Sequence, residues 1–203
     1  MKFSIIVAWF FLVGISNVHA DKSPEELSST CLGCHGVASY NNIYPTYKVP
    51  KLGNQHKDYL VAALKAYKSG ERSHPTMRAH AVNLSDADIE KIAQYFSSLA
   101  YDEQLASSED IQIIDEANSC VACHGPDGNS MVSTFPKIGG QYEDYLYHAL
   151  KSYQNGNRKN AIMTGIASTL NQEQMKKLAK YFSKQKGIQK VEQGVVASKE
   201  KKD

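Results

Sequence analysis

Two copies of one short cysteine motif constrain this chain of 203 residues more than any other feature. Residues 31–35 read CLGCH and residues 120–124 read CVACH, so all four cysteines stand in two CxxCH motifs. This spacing is typical of covalent c-type haem attachment. In such sites two thiols bond to the vinyl groups of one haem, and the adjacent histidine binds its iron. The two motifs therefore predict two haems.

Two other kinds of site can use four cysteines. In an exported protein an even number of cysteines can form disulfides, and two CxxC pairs can supply the four thiolates of one zinc site. Neither a disulfide nor such a zinc site requires a histidine directly after each pair, where His35 and His124 stand. Haem attachment explains both the cysteines and the histidines.

An internal repeat accompanies the two motifs. Residues 50–99 align with residues 136–185 at an offset of 86 without a gap, and 21 of the 50 positions are identical. Each half of the chain therefore carries one haem motif and one copy of the repeat. We predict two tandem domains, residues 21–105 and residues 106–188. A tail with several lysines, residues 189–203, is expected to be disordered.

The apolar periodicity within each half is helical, and no segment has the alternation of a strand. One helix in each half is expected to end at Gly70 or just before Gly156, since glycine favours a helix C-terminus. A closing helix should follow, with Ser85 or Asn171 as its N-cap. Leading helices are predicted over about residues 24–30 and 109–119, with loops between helices. The predicted fold class is all-α.

The first 20 residues predict a cleavable signal peptide. Lys2 precedes an apolar run, and Val18 and Ala20 are the small residues that a signal peptidase requires. An uncleaved anchor is the alternative, although the run is short for a membrane span of about 20 residues. Export to the periplasm agrees with haem attachment outside the cytoplasm. The mature chain has 22 basic against 21 acidic side chains, so no nucleic-acid partner is expected.

The second axial ligand decides whether each iron transfers electrons or binds a substrate. Methionine opposite histidine is typical of high-potential electron carriers. Met77 and Met163 occupy equivalent positions in a predicted loop of the repeat. We predict that they complete two axial pairs, His35 with Met77 and His124 with Met163.

Other histidines and methionines compete with this assignment. His74 and His80 flank Met77, and they offer bis-histidine ligation of the first iron as the alternative. Met131 has no counterpart in the first half and is expected to make a loop contact. The two remaining histidines of the mature chain, His56 and His148, are predicted to be surface residues.

Two arginines are also repeated. Arg72 and Arg158 precede the two methionines by five residues in both halves. We expect them to donate charge-assisted hydrogen bonds to the haem propionates. The alternative is that both are solvated arginines in loops.

Several motifs resemble the diheme cytochrome c4 family. They are CxxCHG followed by PDGNS, FPKIGGQ over residues 135–141, and GNRKNAIM over residues 156–163. The resemblance spans nearly the whole mature chain. It implies two class I cytochrome c domains related by a pseudo-twofold axis, each around one haem. It also implies His/Met ligation by the pairs given above and covalent attachment at Cys31, Cys34, Cys120 and Cys123.

The first half departs from the family pattern. His35 is followed by GVASYNN, which lacks the PDG turn, and the segment from His35 to Pro50 is three residues longer than that from His124 to Pro136. We therefore expect the two haems to lie in unequal surroundings. Their reduction potentials should differ as a result.

Two filled iron sites favour an electron carrier over an enzyme. The resemblance implies a periplasmic carrier, associated with the membrane in many members, that delivers electrons to a terminal oxidase. A quinol-oxidising complex is the expected donor, so the partners are redox proteins and not a small-molecule substrate. Two alternatives stay open: a diheme enzyme of peroxidase or thiosulfate dehydrogenase type, and the haem subunit of a flavoprotein dehydrogenase.

Overall fold

The computed structural model describes residues 22–43, 46–99 and 112–188. The predicted signal peptide, the predicted tail and the boundary between residues 105 and 106 lie outside these ranges. Within them the chain is helical, and two isolated bridge pairs have both members in these ranges, Asn41 with Lys48 and Arg72 with Arg158. The predicted all-α class is confirmed.

The two halves repeat one order of helices. The described part of the first half contains α1 (Pro24–His35), α2 (Lys57–Ser69), α3 (Pro75–Ala81) and α4 (Asp86–Ser98). The second half contains a 3-10 turn (Asp115–Ala117), α5 (Asn118–His124), α6 (Glu143–Gln154), α7 (Ala161–Ser168) and α8 (Gln172–Ser183). The closing helix organises each half, because α1 and α2 pack on α4 while α6 packs on α8. None of these helices is long and apolar enough to cross a membrane.

The predicted ends of the long helices are confirmed. Ser85 and Asn171 cap α4 and α8, each accepting a hydrogen bond from the backbone N–H three residues later. Gly70 follows α2 with φ of 85°, a left-handed conformation that favours glycine. The same signals in both copies of the repeat therefore produce the same helices.

The leading helices differ from the prediction. α1 does not stop near residue 30 but continues through the whole motif to His35, since no residue of CLGCH interrupts it. In the second half residues 112–114 are not helical, and the 3-10 turn and α5 together run from Asp115 to His124. Both motifs are thus helical, which fixes the spacing of their thiols and their histidine.

The prediction of a loop around each methionine is wrong. Met77 lies on α3 and Met163 on α7, two helices of 7 and 8 residues. His74 and Asn160 cap these helices by accepting from the methionine N–H groups. Helices of two turns are too short to give a clear apolar period, and the histidine cap is an unusual one.

Each half has its own small apolar core. Ile89 and Phe96 of α4 are almost fully buried in the first half, and Met175 and Leu178 of α8 are so in the second. Met175 thus occupies the core position that Ile89 holds in the first half. Domains of this size bury little apolar surface alone, and part of the apolar face of α2, including Ala63, lines a cavity.

The two halves meet across a pseudo-twofold interface. Buried Gln55 bonds to both backbone groups of Lys137, with its Nε2 donating to the carbonyl oxygen at 2.8 Å and its Oε1 accepting from the N–H at 2.9 Å. Buried Gln141 makes the same two bonds to Lys51, at 2.9 and 3.0 Å. Each pair is the other shifted by 86 residues, so the interface has the symmetry of the repeat.

Candidate haem-binding site

One continuous cavity of about 580 Å³ lies between the halves. It is lined by residues of α1 to α4 in the first half and of α5 to α8 in the second. Every residue predicted to hold a haem lines this cavity: Cys31, Cys34, His35, Arg72, Met77, Cys120, Cys123, His124, Arg158 and Met163. The fold therefore brings both predicted ligand sets to one place.

The two motif histidines are held in the same way. His35 and His124 are 9% and 7% exposed, and the Nδ1 of each lies 2.8 Å from a proline carbonyl oxygen, that of Pro50 or Pro136. A carbonyl oxygen only accepts, so Nδ1 carries the proton and Nε2 keeps a free lone pair. Burial lowers the pKa of His35 to about 4 and lowers that of His124 as well. Both rings are thus neutral and ready to bind a metal through Nε2.

The four thiols stand beside these histidines. Each motif places its second cysteine three residues and its histidine four residues after the first cysteine, which brings all three to one side of the helix. All four thiols are free and half-buried, and burial raises the pKa of the Cys31 and Cys120 thiols. Within the described ranges no cluster of histidine, cysteine or carboxylate side chains could hold a metal ion by itself. The geometry thus favours haem over a disulfide or a tetrathiolate zinc site.

Of the two candidates for bis-histidine ligation of the first iron, His74 and His80, the contacts of His74 disfavour it. The Nδ1 of His74 accepts from the Met77 N–H at 3.2 Å, and its Nε2 lies 2.8 Å from the side-chain amide of Asn42. Both ring nitrogens of His74 are therefore engaged. His80 is exposed at the rim of the cavity, where it stays a competitor of Met77. Met131 is 96% exposed, so it lies on the surface away from both sites.

The repeated arginines are buried, so the alternative of two solvated side chains is wrong. Arg72 and Arg158 are 7% and 5% exposed, and in the described part of the chain neither forms an ion pair with a carboxylate. The Nε of Arg72 has no hydrogen-bond partner. Two buried cations in an apolar cavity require anions to offset their desolvation. Haem propionates meet that requirement, so the residues present fit the group that the motifs predict.

Tyrosines complete the surroundings of the arginines. Arg72 donates from Nη1 to the Tyr59 hydroxyl at 3.2 Å and from Nη2 to the Tyr145 hydroxyl at 2.8 Å, and Arg158 donates to the same Tyr145 oxygen at 3.5 Å. Burial opposes ionisation of Tyr145, but the two guanidinium groups outweigh it and lower its pKa to about 8. For Tyr59 burial prevails and the pKa is raised. Sequence reasoning missed this cluster, although Tyr59 and Tyr145 are identical positions of the repeat.

His56 and His148, predicted to be surface residues, are both half-buried at the interface between the halves. The ring of His148 stacks on Tyr47 from the other half, with centroids 4.1 Å apart. The Nε2 of His56 lies 2.8 Å from the carbonyl oxygen of Ser130, again across the interface. Neither contact could be inferred from periodicity, because the partners are far apart in the chain.

Comparison with known proteins agrees with this architecture. The sequence matches the cytochrome c family twice, over residues 25–100 and residues 110–186. It is 30% identical to cytochrome c4 of Pseudomonas aeruginosa, with 84% of this chain and 92% of that protein covered. It is 42% identical to a thiosulfate dehydrogenase electron acceptor of Thiomonas intermedia, with 80% and 81% covered.

A solved structure gives the same result. Cytochrome c4 of Acidithiobacillus ferrooxidans superposes with a TM-score of 0.61 at 34% identity, over 77% of this chain and 99% of that one. Both the repeated family match and the shared two-domain fold require two haem c groups, one for each CxxCH motif. The chain therefore belongs to the diheme cytochrome c4 family.

Proposed function

We propose that the protein is an electron carrier in which each half holds one haem closed by a histidine and a methionine. His35 and Met77 bind the first iron, His124 and Met163 bind the second, and the cysteines of each motif form the thioether bonds. The observation that carries this proposal is that both complete ligand sets line one cavity. When bound, each haem supplies an iron that gains or loses one electron.

The residues of the chain set the conditions of that exchange. The carbonyl oxygens of Pro50 and Pro136 orient the two imidazole rings and make Nε2 a better donor to iron. The apolar walls of the cavity limit the access of water, which favours the less charged ferrous state. Arg72 and Arg158 supply the positive charge that propionates require.

The continuity of the cavity supports electron exchange between the halves. Residues of both motifs contribute to its lining. An electron that enters one half can therefore pass to the other before it leaves the protein. This arrangement suits a carrier that meets its donor and its acceptor at different ends.

We assign the donor and the acceptor to other redox proteins in the periplasm. The predicted signal peptide supports this compartment. A quinol-oxidising complex is the proposed donor and a membrane terminal oxidase the proposed acceptor, reached by a peripheral encounter with the membrane. A second donor is favoured by the relative in Thiomonas intermedia, which is named as the electron acceptor of a thiosulfate dehydrogenase. Oxidation of two thiosulfate ions to tetrathionate releases two electrons, one for each haem.

Binding of external ligands separates this carrier from a diheme enzyme. We expect the reduced protein to bind no carbon monoxide at neutral pH, because both irons are closed. The variant Met163→Ala opens one iron and should bind one equivalent, which makes it the positive control. Rapid binding of carbon monoxide by one haem of the unaltered protein would contradict the proposal and favour an enzyme.

Stopped-flow kinetics can then identify the donor. The oxidised protein is mixed with a reduced quinol-oxidising complex or with thiosulfate dehydrogenase and thiosulfate, and reduction of the haems is followed. Faster reduction of the haems by thiosulfate dehydrogenase at equal concentrations would identify that enzyme as the donor. Reduction by the quinol-oxidising complex, followed by reoxidation with a terminal oxidase, is the result that we expect.

A further inference from the structure

The Tyr145 hydroxyl breaks the symmetry of the interface. Tyr145 and Tyr59 are equivalent positions of the repeat, yet only Tyr145 accepts hydrogen bonds from the arginines of both halves. Tyr59 accepts from Arg72 alone. One phenol oxygen of the second half therefore joins two side chains that the repeat would otherwise keep separate.

The backbone brings these arginines together. Arg72 and Arg158 form an antiparallel bridge at the interface, with the Ser73 N–H donating to the carbonyl oxygen of Asn157 at 2.7 Å and the Lys159 N–H donating to that of Glu71 at 2.9 Å. Two guanidinium groups so close repel each other. A shared acceptor between them reduces that repulsion and fixes both in one orientation.

The consequence is larger for Arg158 than for Arg72. Arg72 has two phenol partners and keeps Tyr59 if Tyr145 is lost. Within the described ranges the Tyr145 oxygen is the only side-chain acceptor of Arg158, whose guanidinium also lies 5.3 Å from the centre of the Tyr145 ring. Tyr145 is 8% exposed, so water cannot easily replace its hydroxyl.

We propose that Tyr145 is a positioning residue that couples the two haem sites by holding Arg72 and Arg158 in one hydrogen-bonded unit. This inference rests on the proposed function, because it requires a haem in each half. A positive charge held near a haem stabilises the ferrous state and raises the reduction potential. Tyr145 thereby raises the potential of the second haem and sets the separation between the two.

The test is a redox titration that resolves the two haems in Tyr145→Phe and in its matched control, Tyr59→Phe. We expect Tyr145→Phe to lower the potential of the second haem and to change the separation. Tyr59→Phe should shift the first haem by less, since Arg72 keeps its bond to Tyr145. Equal shifts in the two variants, or no shift in Tyr145→Phe, would overturn the proposal.

A double-variant cycle tests whether Tyr145 acts through Arg158, with Arg158→Lys as a second variant. Arg158→Lys keeps the charge but loses the guanidinium geometry, so it should lower the same potential. If Tyr145 acts through Arg158, the double variant shifts no further than the larger single variant, whereas additive shifts would contradict that route. The proposed function is tested separately by the unaltered protein. Absence of two His/Met haems there refutes the function itself, whereas their presence with an unchanged Tyr145→Phe refutes only the coupling.

Discussion

The segments that follow the two haem motifs differ in length and in the contacts that they make. In the second half the backbone N–H of Asn129 bonds to the Asp127 carboxylate, and the Asn129 amide donates to the carbonyl oxygen of Lys186. This turn is tied to the end of its own domain. In the first half a bridge between Asn41 and Lys48 closes a longer loop instead.

The longer loop serves the interface. It carries Tyr47, which is 4% exposed and contacts His148 and Tyr145 of the second half. The first half lacks the turn that accepts a bond from Tyr181 through the carbonyl oxygen of Pro126, and its equivalent Tyr95 hydroxyl has no partner. The shorter segment also crosses the interface, through the contacts of Ser130 with His56 and of Ser133 with Asp58. The two segments therefore differ in the bonds within a domain that the shorter one makes and in the aromatic contact that the longer one adds. The ligand frameworks are alike, and their surroundings are not.

The largest effect is expected when the two methionines are replaced one at a time. Met77→Ala and Met163→Ala should each open one iron, so each should lose about half of the near-infrared sulfur-to-iron charge-transfer band and gain one carbon monoxide site. Equal losses of band intensity would show that the two irons have the same pair of axial ligands. An unchanged band in Met77→Ala would show a different ligand in the first half. His80→Ile, which copies Ile166 of the second half, would then identify it.

The symmetric glutamines give the next largest effect. Gln55→Ala and Gln141→Ala each remove two hydrogen bonds to half-buried backbone groups, which should lower the free energy of unfolding by about 2 kcal/mol. Denaturant unfolding measures both losses, with the exposed Gln94→Ala as a control expected within about 0.5 kcal/mol of the parent. Similar losses would show that the asymmetry is confined to the loops. A loss of stability in only one variant would show that the interface is asymmetric as well.

Acidification should weaken the contact made by the longer loop. Burial, with Arg158, His74 and Arg72 nearby, lowers the pKa of His148 to about 4. The unfolded chain takes up this proton below about pH 6.5, so stability is full above that pH and falls as the pH drops toward 4. Partial exposure limits the loss to about 1–2 kcal/mol.

His148→Ala, which copies Ala62 of the first half, isolates this effect. The variant should be less stable than the parent at pH 7, since the stack on Tyr47 is lost. Its unfolding temperature should also depend less on pH between 6.5 and 4. The same pH dependence in both proteins would contradict a role for His148.

The smallest predicted effect concerns the two closing-helix tyrosines. Tyr181→Phe loses the bond to the Pro126 carbonyl oxygen and should cost about 1 kcal/mol. Tyr95→Phe removes a buried hydroxyl without a partner and should be neutral or slightly stabilising. Thermal unfolding of the two variants compares them directly. A larger loss for Tyr95→Phe would mean that its hydroxyl has a partner after all.

The sequence predicted the local features of this fold well. The motifs and the ungapped repeat identified the residues that line the cavity, and the caps Ser85 and Asn171 located the closing helices. Each of these signals lies within a few residues or recurs at a fixed offset. A single chain is enough to read them.

The contacts between halves could not be predicted in the same way. The stack of Tyr47 on His148 and the bonds of Arg72 and Arg158 to Tyr145 join residues from different parts of the chain, and no period or spacing links them. The short helices α3 and α7 were missed because two turns give too few apolar positions. Burial of the arginines also needs the assembled interface, since arginine is usually exposed.

A spectroelectrochemical titration of the mature protein tests the central claim most directly, that two His/Met haems lie in similar frameworks but unequal surroundings. We predict two resolved one-electron transitions, with a charge-transfer band whose intensity corresponds to both haems in the fully oxidised protein. A single transition accompanied by the spectrum of a bis-histidine haem would contradict the account, because the first half would then lack its methionine ligand.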